Sequence, residues 1–456
     1  MPLQKNQVLT LRVERLSSDG SGVAHSPDGE TVFIPGAAPG DEARVRIVKD
    51  CKRYAFGILD EVLTPSPDRI PVDCAVAGPC GGCSLRHLDY AAELRAKQEN
   101  VADAFARIGG LDVPVLPIVG SPEVNRYRNK VQFPVGVDKN GKPCIGFYAG
   151  RTHRIVPCPD CRLQPGVLNE IGNALCAFFA EKGIQPYSEE TGRGLVRHIF
   201  LRRGAHSGQI MVCLVCTRAR LPSAEELCTR LKAQFAEITT ILLNVNAKNT
   251  NVILGTETHT LYGQGYIEDT LCGVPVQLGP LSFYQVNTLA AEQLYGIAAQ
   301  YAQLTQDDLL LDLYCGMGTI GLSMAAHCRE LIGVEIVPEA IESAKANAAR
   351  MGTDVAAKSR FFCADAGQAA TRLAAEGLHP DIVMLDPPRK GCDEATLSAV
   401  VRMSPRRVVY VSCNPATAAR DAAWLEQNGY HAEKVQPVDL FPRTRHCECV
   451  LSLSKV

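Results

Sequence analysis

Apolar and polar residues alternate in short stretches over residues 7–63, and Gly, Pro and Asp turns separate the stretches. This pattern predicts a small β-barrel. The segment Thr64–Pro67 carries two prolines and marks the end of the barrel. A helix is predicted at about 89–107. Mixed strand and helix patterns follow over 126–270, with strands at 195–202 and 209–216 and a helix at 167–182.

The pattern changes after Gly279 to a strict alternation of strands and helices. The predicted strands lie at 309–313, 330–336, 359–363, 381–385 and 407–412. The predicted helices lie at 319–328 and 338–351, from about 394 and from 415, and two closing strands follow. Such alternation is typical of a doubly wound, mostly parallel sheet that binds ligands at the carboxyl ends of its strands.

We therefore expect an α/β protein of three parts. A small β-barrel occupies residues 1–65, a mixed α+β central domain residues 66–275, and a Rossmann-like domain residues 276–456. The predicted helix at about 89–107 belongs to the central part by position, and we expect it to pack on the Rossmann-like domain.

Composition narrows the class of protein. The 456 residues include 46% hydrophobic residues, 19 cysteines and a formal net charge of -2. The start of the chain does not resemble a signal peptide, and the apolar runs are shorter than the about 20 residues that cross a bilayer. We expect a cytoplasmic protein with reduced thiols, without a membrane and without an obligate protein partner.

One region is basic despite the overall balance. Residues 121–164 hold eight Lys or Arg, Arg151 among them, against three acidic residues. A solvated loop and a surface for RNA or phosphate both explain this excess.

The first strand of the Rossmann-like part leads into Asp312–Gly318, where two glycines allow a tight turn and a close approach to a ligand. Glu335 ends the next strand, 21 residues after Tyr314, where an acid can bind ribose hydroxyls. The third glycine of the dinucleotide fingerprint is absent, so S-adenosylmethionine fits better than NAD. Asp386 ends the fourth strand before two prolines, which indicates a cofactor or substrate contact.

Cys413 lies where the predicted strand 407–412 ends and a helix begins at Pro415. The free amides at a helix start favour a thiolate over a thiol, so this cysteine is a candidate nucleophile.

A second group of cysteines has metal-ligand spacing: Cys74, Cys80 and Cys83 lie close in sequence, and Cys161 is a distant fourth candidate. Three clustered thiols with one distant ligand suit a [4Fe-4S] cluster, and structural zinc is the alternative. Cys158 competes with Cys161 for the fourth position.

Six motifs together resemble the RNA uracil-5 methyltransferases of the RumA and TrmA type. They are Phe283–Asn287, Asp312–Thr319, Val334–Glu335, Leu385–Arg389, Ser412–Thr417 and His446–Glu448. The resemblance implies that six residues line the S-adenosylmethionine site, namely Gln285, Tyr314, Thr319, Glu335, Asp365 and Asp386. It further implies that Cys413 is the nucleophile and Glu448 the base.

The same resemblance implies that the first domain is an OB-like TRAM barrel that binds RNA, that the cysteines hold iron and sulfur, and that the substrate is 23S ribosomal RNA. Transfer RNA is the alternative substrate. Arg443, Arg445 and His446 are expected near the phosphates of a flipped nucleotide. The segments 126–130 and 193–203 are expected to add phosphate contacts.

Two rival functions remain open at the level of sequence. A cytosine-5 methyltransferase would use the same thiol addition, although those that act on DNA typically place the nucleophile after proline, and here Ser412 precedes Cys413. A non-catalytic iron-sulfur protein that binds RNA or senses redox state would use the cysteine group without the nucleophile.

Overall fold

The computed structural model of the chain describes residues 3–150, 152–248 and 250–456. Arg151, one of the basic residues counted above, lies outside the described residues. Within these ranges, no helix combines the length and the apolar character needed to cross a membrane.

The first sheet is a closed barrel with the strand order β1-β2-β3-β5-β4. Its strands are β1 (Val8–Leu16), β2 (Gly22–His25), β3 (Thr31–Ile34), β4 (Glu42–Asp50) and β5 (Tyr54–Thr64). Alternate residues of β4, Ala43, Val45 and Ile47, are fully buried, so one face of each strand fills the interior. The alternation in the sequence predicted this barrel correctly. It did not reveal β2, because this short strand has three buried residues in a row, Gly22, Val23 and Ala24, and so shows no period of two.

The short helix α1 (Ala77–Cys80) and the long helix α2 (Tyr90–Asp103) follow the barrel. Asp89 caps α2, since its carboxylate accepts a hydrogen bond from Ala92 N at 2.7 Å. A π-helical turn (Ala104–Gly109) extends α2. Val101 and Phe105 are buried among residues of the C-terminal sheet, so this helix packs on the C-terminal domain.

The second sheet has the order β12-β11-β10-β9-β6-β7-β8. Its strands are β6 (Lys130–Val137), β7 (Pro143–Tyr148), β8 (Ile155–Pro157), β9 (Val196–Arg203), β10 (Ile210–Cys216), β11 (Ile238–Val245) and β12 (Glu257–Tyr262). Helices α3 (Gly166–Glu181) and α4 (Ala224–Gln234) cover one face through a shared apolar core. Strands β13 (Ile267–Leu271) and β14 (Val274–Leu278) form a separate antiparallel ribbon.

The third sheet has the order β17-β16-β15-β18-β19-β21-β20. Its strands are β15 (Leu309–Leu313), β16 (Glu330–Glu335), β17 (Ser359–Cys363), β18 (Ile382–Leu385), β19 (Arg407–Ser412), β20 (Tyr430–Val438) and β21 (Glu448–Lys455). Strands β15 to β19 are parallel, and β21 is antiparallel to both of its neighbours.

Helices cover both faces of this sheet. They are α5 (Thr288–Ala302), α6 (Thr319–Met324), α7 (Pro338–Arg350), α8 (Thr353–Lys358), α9 (Ala366–Ala375), α10 (Glu394–Met403) and α11 (Pro415–Glu426). Successive residues of β15, Leu310 and Leu311, lie in two different apolar cores, one on each side of the sheet. The doubly wound α/β fold predicted from the sequence is confirmed. Helices α8 and α9 were missed, because α8 is short and α9 is rich in alanine.

Candidate active site

The loop between β15 and α6 is built around the carboxyl ends of two neighbouring strands. Tyr314 has a positive φ of 65°, and Gly316 has a positive φ of 56° with open space where a side chain would lie. Glu335 Oε2 accepts a hydrogen bond from Gly316 N at 3.2 Å, and its Oε1 accepts one from Val337 N at 3.0 Å. These bonds hold the Glu335 carboxylate at the end of β16, where an acid can meet ribose hydroxyls.

Asp312, the first residue of the Asp312–Thr319 motif, is buried under the same loop. Its Oδ2 accepts a hydrogen bond from Gly321 N at 3.0 Å, and its Oδ1 has no hydrogen-bond partner among the described residues. Burial raises the pKa of Asp312 to about 8, and the charges of Asp386 and Glu335 add to this effect. An unpaired carboxyl oxygen beneath a glycine turn is a polar group that a ligand can satisfy.

Asp365 caps α9, since its Oδ1 accepts a hydrogen bond from Gln368 N at 3.1 Å. It lines a cavity of about 570 Å³ between α9 and α10, together with Arg372 and Asp393. Tyr314 reaches α10, where its hydroxyl lies 3.3 Å from Thr396 Oγ1.

Tyr295 of α5 joins three of the predicted cofactor residues, and sequence reasoning missed it. Its buried hydroxyl lies close to the side chains of Thr319, Gln285 and Asp386, each of which shifts its pKa. Burial and the Asp386 charge raise the pKa of Tyr295, so it stays a neutral hydrogen-bonding group. No sequence motif marked this helix, and only the fold brings its tyrosine to the site.

The segment that carries Gln285 is fixed from the second sheet. The buried Arg202 guanidinium of β9 donates to Gly279 O and to Ser282 O, both at 2.7 Å. Asn129 Nδ2 donates to Gln285 O at 2.8 Å. Next to Gln285, the Phe283 side chain is 71% exposed and offers a free aromatic face.

The register of two antiparallel strands places Cys413 beside Glu448. The pairing of β19 with β21 ends at Ser412 and Cys449, and Cys413 and Glu448 are the residues that adjoin this pair. Glu448 is close enough to Cys413 for its charge to raise the pKa of the thiol. Asp386, at the end of the neighbouring strand β18, is also close enough to affect both groups.

Cys413, Glu448 and Asp386 are three acidic groups that lie close together, so a negative charge on one makes the ionisation of the others less favourable. Burial raises the pKa of Glu448 to about 8, and the Asp386 charge adds to the rise. Burial likewise raises the pKa of Asp386 to about 7. The Arg389 guanidinium lowers the pKa of Glu448 and is the cation that faces the pair.

The expectation of a thiolate at Cys413 is wrong for the ligand-free protein. Burial raises the pKa of Cys413 to about 11, and the charges of Glu448 and Asp386 raise it further than Arg389 lowers it. The start of α11 lies in the predicted place, because Asn414 caps it and Pro415 is its first residue. Its amides are outweighed by burial and two carboxylates.

Arg389 ends the Leu385–Arg389 motif, and the sequence did not predict a role for it. Its main-chain oxygen accepts hydrogen bonds from Asn414 Nδ2 at 2.9 Å and from Thr417 Oγ1 at 3.4 Å. These bonds tie the Asp386–Arg389 turn to the start of α11. The exposed guanidinium thus stands at the mouth of the site.

The four predicted metal ligands converge, since the charges of Cys74 and Cys161 raise the pKa of Cys80, after the larger effect of burial. The charges of Cys161 and Cys80 likewise raise the pKa of Cys83, after the larger effect of burial. Thiolates are the donors that both an iron-sulfur cluster and zinc use, so the donor set fits in kind. Over the described ranges, however, no three or more His, Cys, Asp or Glu side chains are arranged to hold a metal ion.

Cys158 remains a neighbour of this group. The Cys158 side chain lies beside Cys161 and lowers the pKa of the Cys161 thiol. Both thiols therefore stay candidates for the fourth ligand.

Several arginines expected to contact phosphate are occupied inside the protein. Arg126 is paired with Asp160 at 2.6 Å and Arg197 donates to Lys248 O at 2.6 Å. Arg202 fixes the Gly279 and Ser282 carbonyls, and Arg443 donates to Leu88 O at 2.7 Å. For Arg197, Arg202 and Arg443, which are at most 11% exposed, the phosphate prediction is wrong, because each guanidinium has a structural partner that a sequence pattern cannot reveal. Arg126 is 32% exposed, and its phosphate contact stays a prediction. Arg445 keeps an exposed position, with one long bond of 3.4 Å to Asp19 O.

Comparison with known proteins agrees with this geometry. Residues 89–456 match the family described as tRNA (uracil-5-)-methyltransferase. The chain belongs to the tRNA (uracil-5-)-methyltransferase family. Residues 2–59 match the TRAM domain, which confirms the predicted nature of the barrel.

Relatives of similar length support the assignment. A protein of Halalkalibacterium halodurans named as an uncharacterized RNA methyltransferase is 43% identical over 453 residues, which cover 99% of this chain and 98% of the relative. A protein of Listeria monocytogenes with the same description is 42% identical over 455 residues, with 99% and 98% covered. The family and these relatives make the chain an RNA methyltransferase.

One solved structure matches over nearly the whole chain. It is the Pyrococcus abyssi tRNA (uracil-54, C5)-methyltransferase in complex with S-adenosyl-L-homocysteine, with a TM-score of 0.77 and 26% identity. The match covers 98% of this chain and 100% of the Pyrococcus chain. The arrangement of barrel, central sheet and Rossmann-like domain is therefore shared with a uracil methyltransferase.

Proposed function

We propose that this protein transfers a methyl group from S-adenosylmethionine to C5 of a uridine in RNA, with Cys413 as nucleophile and Glu448 as base. The observation that carries the proposal is that Cys413 and Glu448 both adjoin the strand pair Ser412–Cys449, close to Asp386 and Arg389. A thiol and a carboxyl group that share one buried space are the two groups that this reaction needs.

The Cys413 thiolate forms a bond to uracil C6, and the C5–C6 π electrons move into an enolate with charge on O4. The enolate electrons then form a bond between C5 and the methyl carbon that bound S-adenosylmethionine would supply. The sulfur–methyl bond breaks, its electrons stay on sulfur, and S-adenosylhomocysteine leaves. Glu448 then accepts the C5 proton, the electrons of the C5–H bond restore the double bond, and the Cys413 thiolate leaves C6.

The pKa values of the site suit these roles. Because the Cys413 pKa is about 11, the thiol must lose its proton as substrate and cofactor bind. The positive charge of a bound sulfonium would add to that of Arg389 and lower the pKa of the thiol and of both carboxyl groups. Without ligands the Glu448 pKa of about 8 keeps the carboxyl group protonated near neutral pH, so the same charge would prepare Glu448 to accept the C5 proton.

The cofactor residues have a common geometry. Glu335, Asp312 and Asp365 lie along one edge of the sheet, and Tyr295 links Gln285, Thr319 and Asp386 on the adjoining side. We assign the predicted set to the cofactor on this basis, with Tyr314 completing the loop, and we add Asp312 and Tyr295. The open turn at Gly316 leaves room for the ligand.

We assign the barrel a role in RNA binding through an aromatic cluster on its surface. Phe33 of β3 and Tyr54 and Phe56 of β5 form an outward cluster with ring centroids 5.6 to 5.9 Å apart. Lys49 pairs with Phe56 on the neighbouring strand and is exposed. Aromatic rings beside a cation stack unpaired bases and attract the backbone.

The substrate proposed here is 23S ribosomal RNA, as the family resemblance implied. Transfer RNA is the second candidate, since the Pyrococcus abyssi enzyme named for uracil-54 of tRNA matches the whole chain, barrel included. The barrel therefore does not distinguish the two substrates. Mapping of 5-methyluridine in ribosomal and transfer RNA from cells that lack the protein would decide: the RNA that loses the methyl group is the substrate.

We assign a [4Fe-4S] cluster to Cys74, Cys80, Cys83 and Cys161, which lie near one another. The reaction needs no electrons, so the cluster would order the loops around it. Iron and sulfide analysis of anaerobically purified protein tests this, and zinc in place of iron would refute it.

The central experiment uses RNA that carries 5-fluorouridine. Fluorine at C5 cannot leave as a proton leaves, so protein, RNA and methyl donor together should give an adduct that resists denaturation and maps to Cys413. Cys413→Ser should abolish the adduct and methyl transfer while RNA binding persists. With ordinary RNA, Glu448→Gln should trap the methylated adduct, because proton removal fails.

Mass analysis of the product separates the rivals. 5-Methyluridine supports the proposal, and 5-methylcytidine would show a cytosine enzyme. Unchanged behaviour of Cys413→Ser would indicate the non-catalytic iron-sulfur protein.

A further inference from the structure

Helix α2 carries a buried ionic group that lies outside the catalytic pocket. Lys97 Nζ donates to Glu93 Oε1 at 2.7 Å, to Asp439 Oδ1 at 2.8 Å and to Phe441 O at 3.2 Å. The side chains of Lys97, Glu93 and Asp439 are 1%, 0% and 0% exposed. Tyr90, about two turns before Lys97, donates to Asp439 Oδ2 at 2.9 Å.

The same helix and its preceding segment hold Arg443. Glu93 Oε1 accepts a hydrogen bond from Arg443 N at 2.7 Å, and Leu85 N donates to Arg443 O at 3.1 Å. Tyr127 adds a bond from its hydroxyl to Pro442 O at 3.0 Å. Residues 439–447, which we call the base loop, are therefore fixed at many points to residues from elsewhere in the chain.

The base loop leads directly to Glu448. Val438 pairs with Glu448 across β20 and β21, so Asp439 is the first residue beyond that pair. At the other end of the loop, burial lowers the pKa of His446, and the Lys97 ammonium is close enough to lower it further. Burial raises the pKa of Cys447, and the same ammonium opposes this rise. Lys97 thus contacts one end of the loop and acts on the other.

Burying a lysine and two carboxylates is unfavourable unless the ions pair well, and apolar replacement is often neutral or stabilising. A role in stability alone is therefore a weak reason for this group. A role in orientation is a stronger one, because the Lys97 ammonium has three acceptors and so holds one geometry, while Glu93 Oε2 has no hydrogen-bond partner among the described residues.

We propose that Lys97 is a positioning residue, which through Asp439 and the Phe441 carbonyl holds the base loop so that the Glu448 carboxylate faces C5, the carbon next to the one bound to Cys413. This inference rests on the proposed function, since it concerns the proton-removal step. Lys97 does not touch the reacting atoms.

The test is Lys97→Met in the full-length protein, with RNA substrate and methyl donor. We expect kcat to fall about tenfold or more, because a small displacement of a catalytic group costs this much. We expect KM for RNA and methyl donor to change by less than about threefold. The methylated RNA-protein adduct should accumulate during turnover, which a general loss of stability would not produce.

Arg407→Met is the matched control. Arg407 is 12% exposed and pairs with Glu433 at 2.6 Å at the far end of the same sheet, away from the base loop. It should lower stability without adduct accumulation. If Lys97→Met folds poorly, Asp439→Asn replaces it, since this change keeps the side-chain shape and weakens the link to Lys97.

Wild-type kcat in Lys97→Met or Asp439→Asn, or a fall in kcat without adduct, would overturn the positioning role. Failure of the proposed function looks different. In that case Glu448→Gln would also show no trapped adduct, whereas failure of the present inference alone leaves that trap intact.

Discussion

Replacement of Glu448 by Gln should stabilise the ligand-free protein, increasingly so as the pH rises. Burial and the Asp386 charge raise the pKa of Glu448 from 4.5 to about 8 in the folded chain. The folded state therefore binds the proton more tightly than the unfolded state. The wild type loses stability as the pH rises from 4.5 through 8, and glutamine, which cannot ionise, removes this loss.

The size of the effect follows from the shift. Each pH unit between the two pKa values contributes about 1.4 kcal/mol to the free energy of unfolding. The stability difference between the variant and the wild type should therefore grow by about 3.5 kcal/mol between about pH 5 and pH 8. Because the glutamine amide does not ionise, it changes the free energy of unfolding by the same amount at both pH values. The growth of the stability difference therefore reports the ionisation of the Glu448 carboxyl group alone.

Urea denaturation of both proteins at several pH values, without RNA or methyl donor, measures this difference. Glu433→Gln on the neighbouring strand is the control. Although burial opposes it, hydrogen bonds from Arg407 and Ser452 lower the pKa of Glu433. Its contribution is present above the unfolded pKa and lost only in acid, so its difference should stay flat above about pH 6. A flat difference for Glu448→Gln as well would refute the buried, protonated Glu448.

Three further outcomes are expected. Arg202→Met should weaken S-adenosylhomocysteine binding about tenfold in calorimetry, since hydrogen bonds from a charged donor contribute about 1.5–3 kcal/mol each and both bonds fix the Gln285 segment; unchanged affinity would contradict this. Tyr54→Ala should raise KM for RNA about tenfold at unchanged kcat, because a stacked base contributes about 1–3 kcal/mol, and an equal loss in kcat would argue against a pure binding surface. Cys161→Ser should lose the iron and Cys158→Ser should keep it; elemental analysis with the reverse pattern would exchange their roles.

The sequence predicted the sheet well because parallel strands buried on both faces are continuous apolar runs. β15 is Leu309–Leu313, as expected, and β19 ends at Ser412 directly before the candidate nucleophile. Elements without a clear period were harder: β2 has three buried residues in a row, and the alanines of α9 do not mark one face strongly. Local pattern thus revealed where strands end, and strand ends are where this site lies.

Side-chain convergence was less accessible to sequence reasoning. Tyr295 meets Gln285 only because α5 packs on the sheet, and no motif marks it. The charge pattern of Arg126 and Arg202 suggested phosphate, yet both guanidiniums bind inside the chain. The same limit applies to Cys413, whose pKa depends on Glu448 and Asp386, which are distant in sequence.

The antiparallel pairing of β19 and β21 has a consequence for how this family can vary. Because successive residues of a strand point to opposite faces, deletion of one residue inside β21 would turn Glu448 away from Cys413 without removing either group. Changes in hairpin length that preserve the pairing would leave the two side chains together. The reaction thus depends on how two backbones align, and a shift of one residue between them would abolish it.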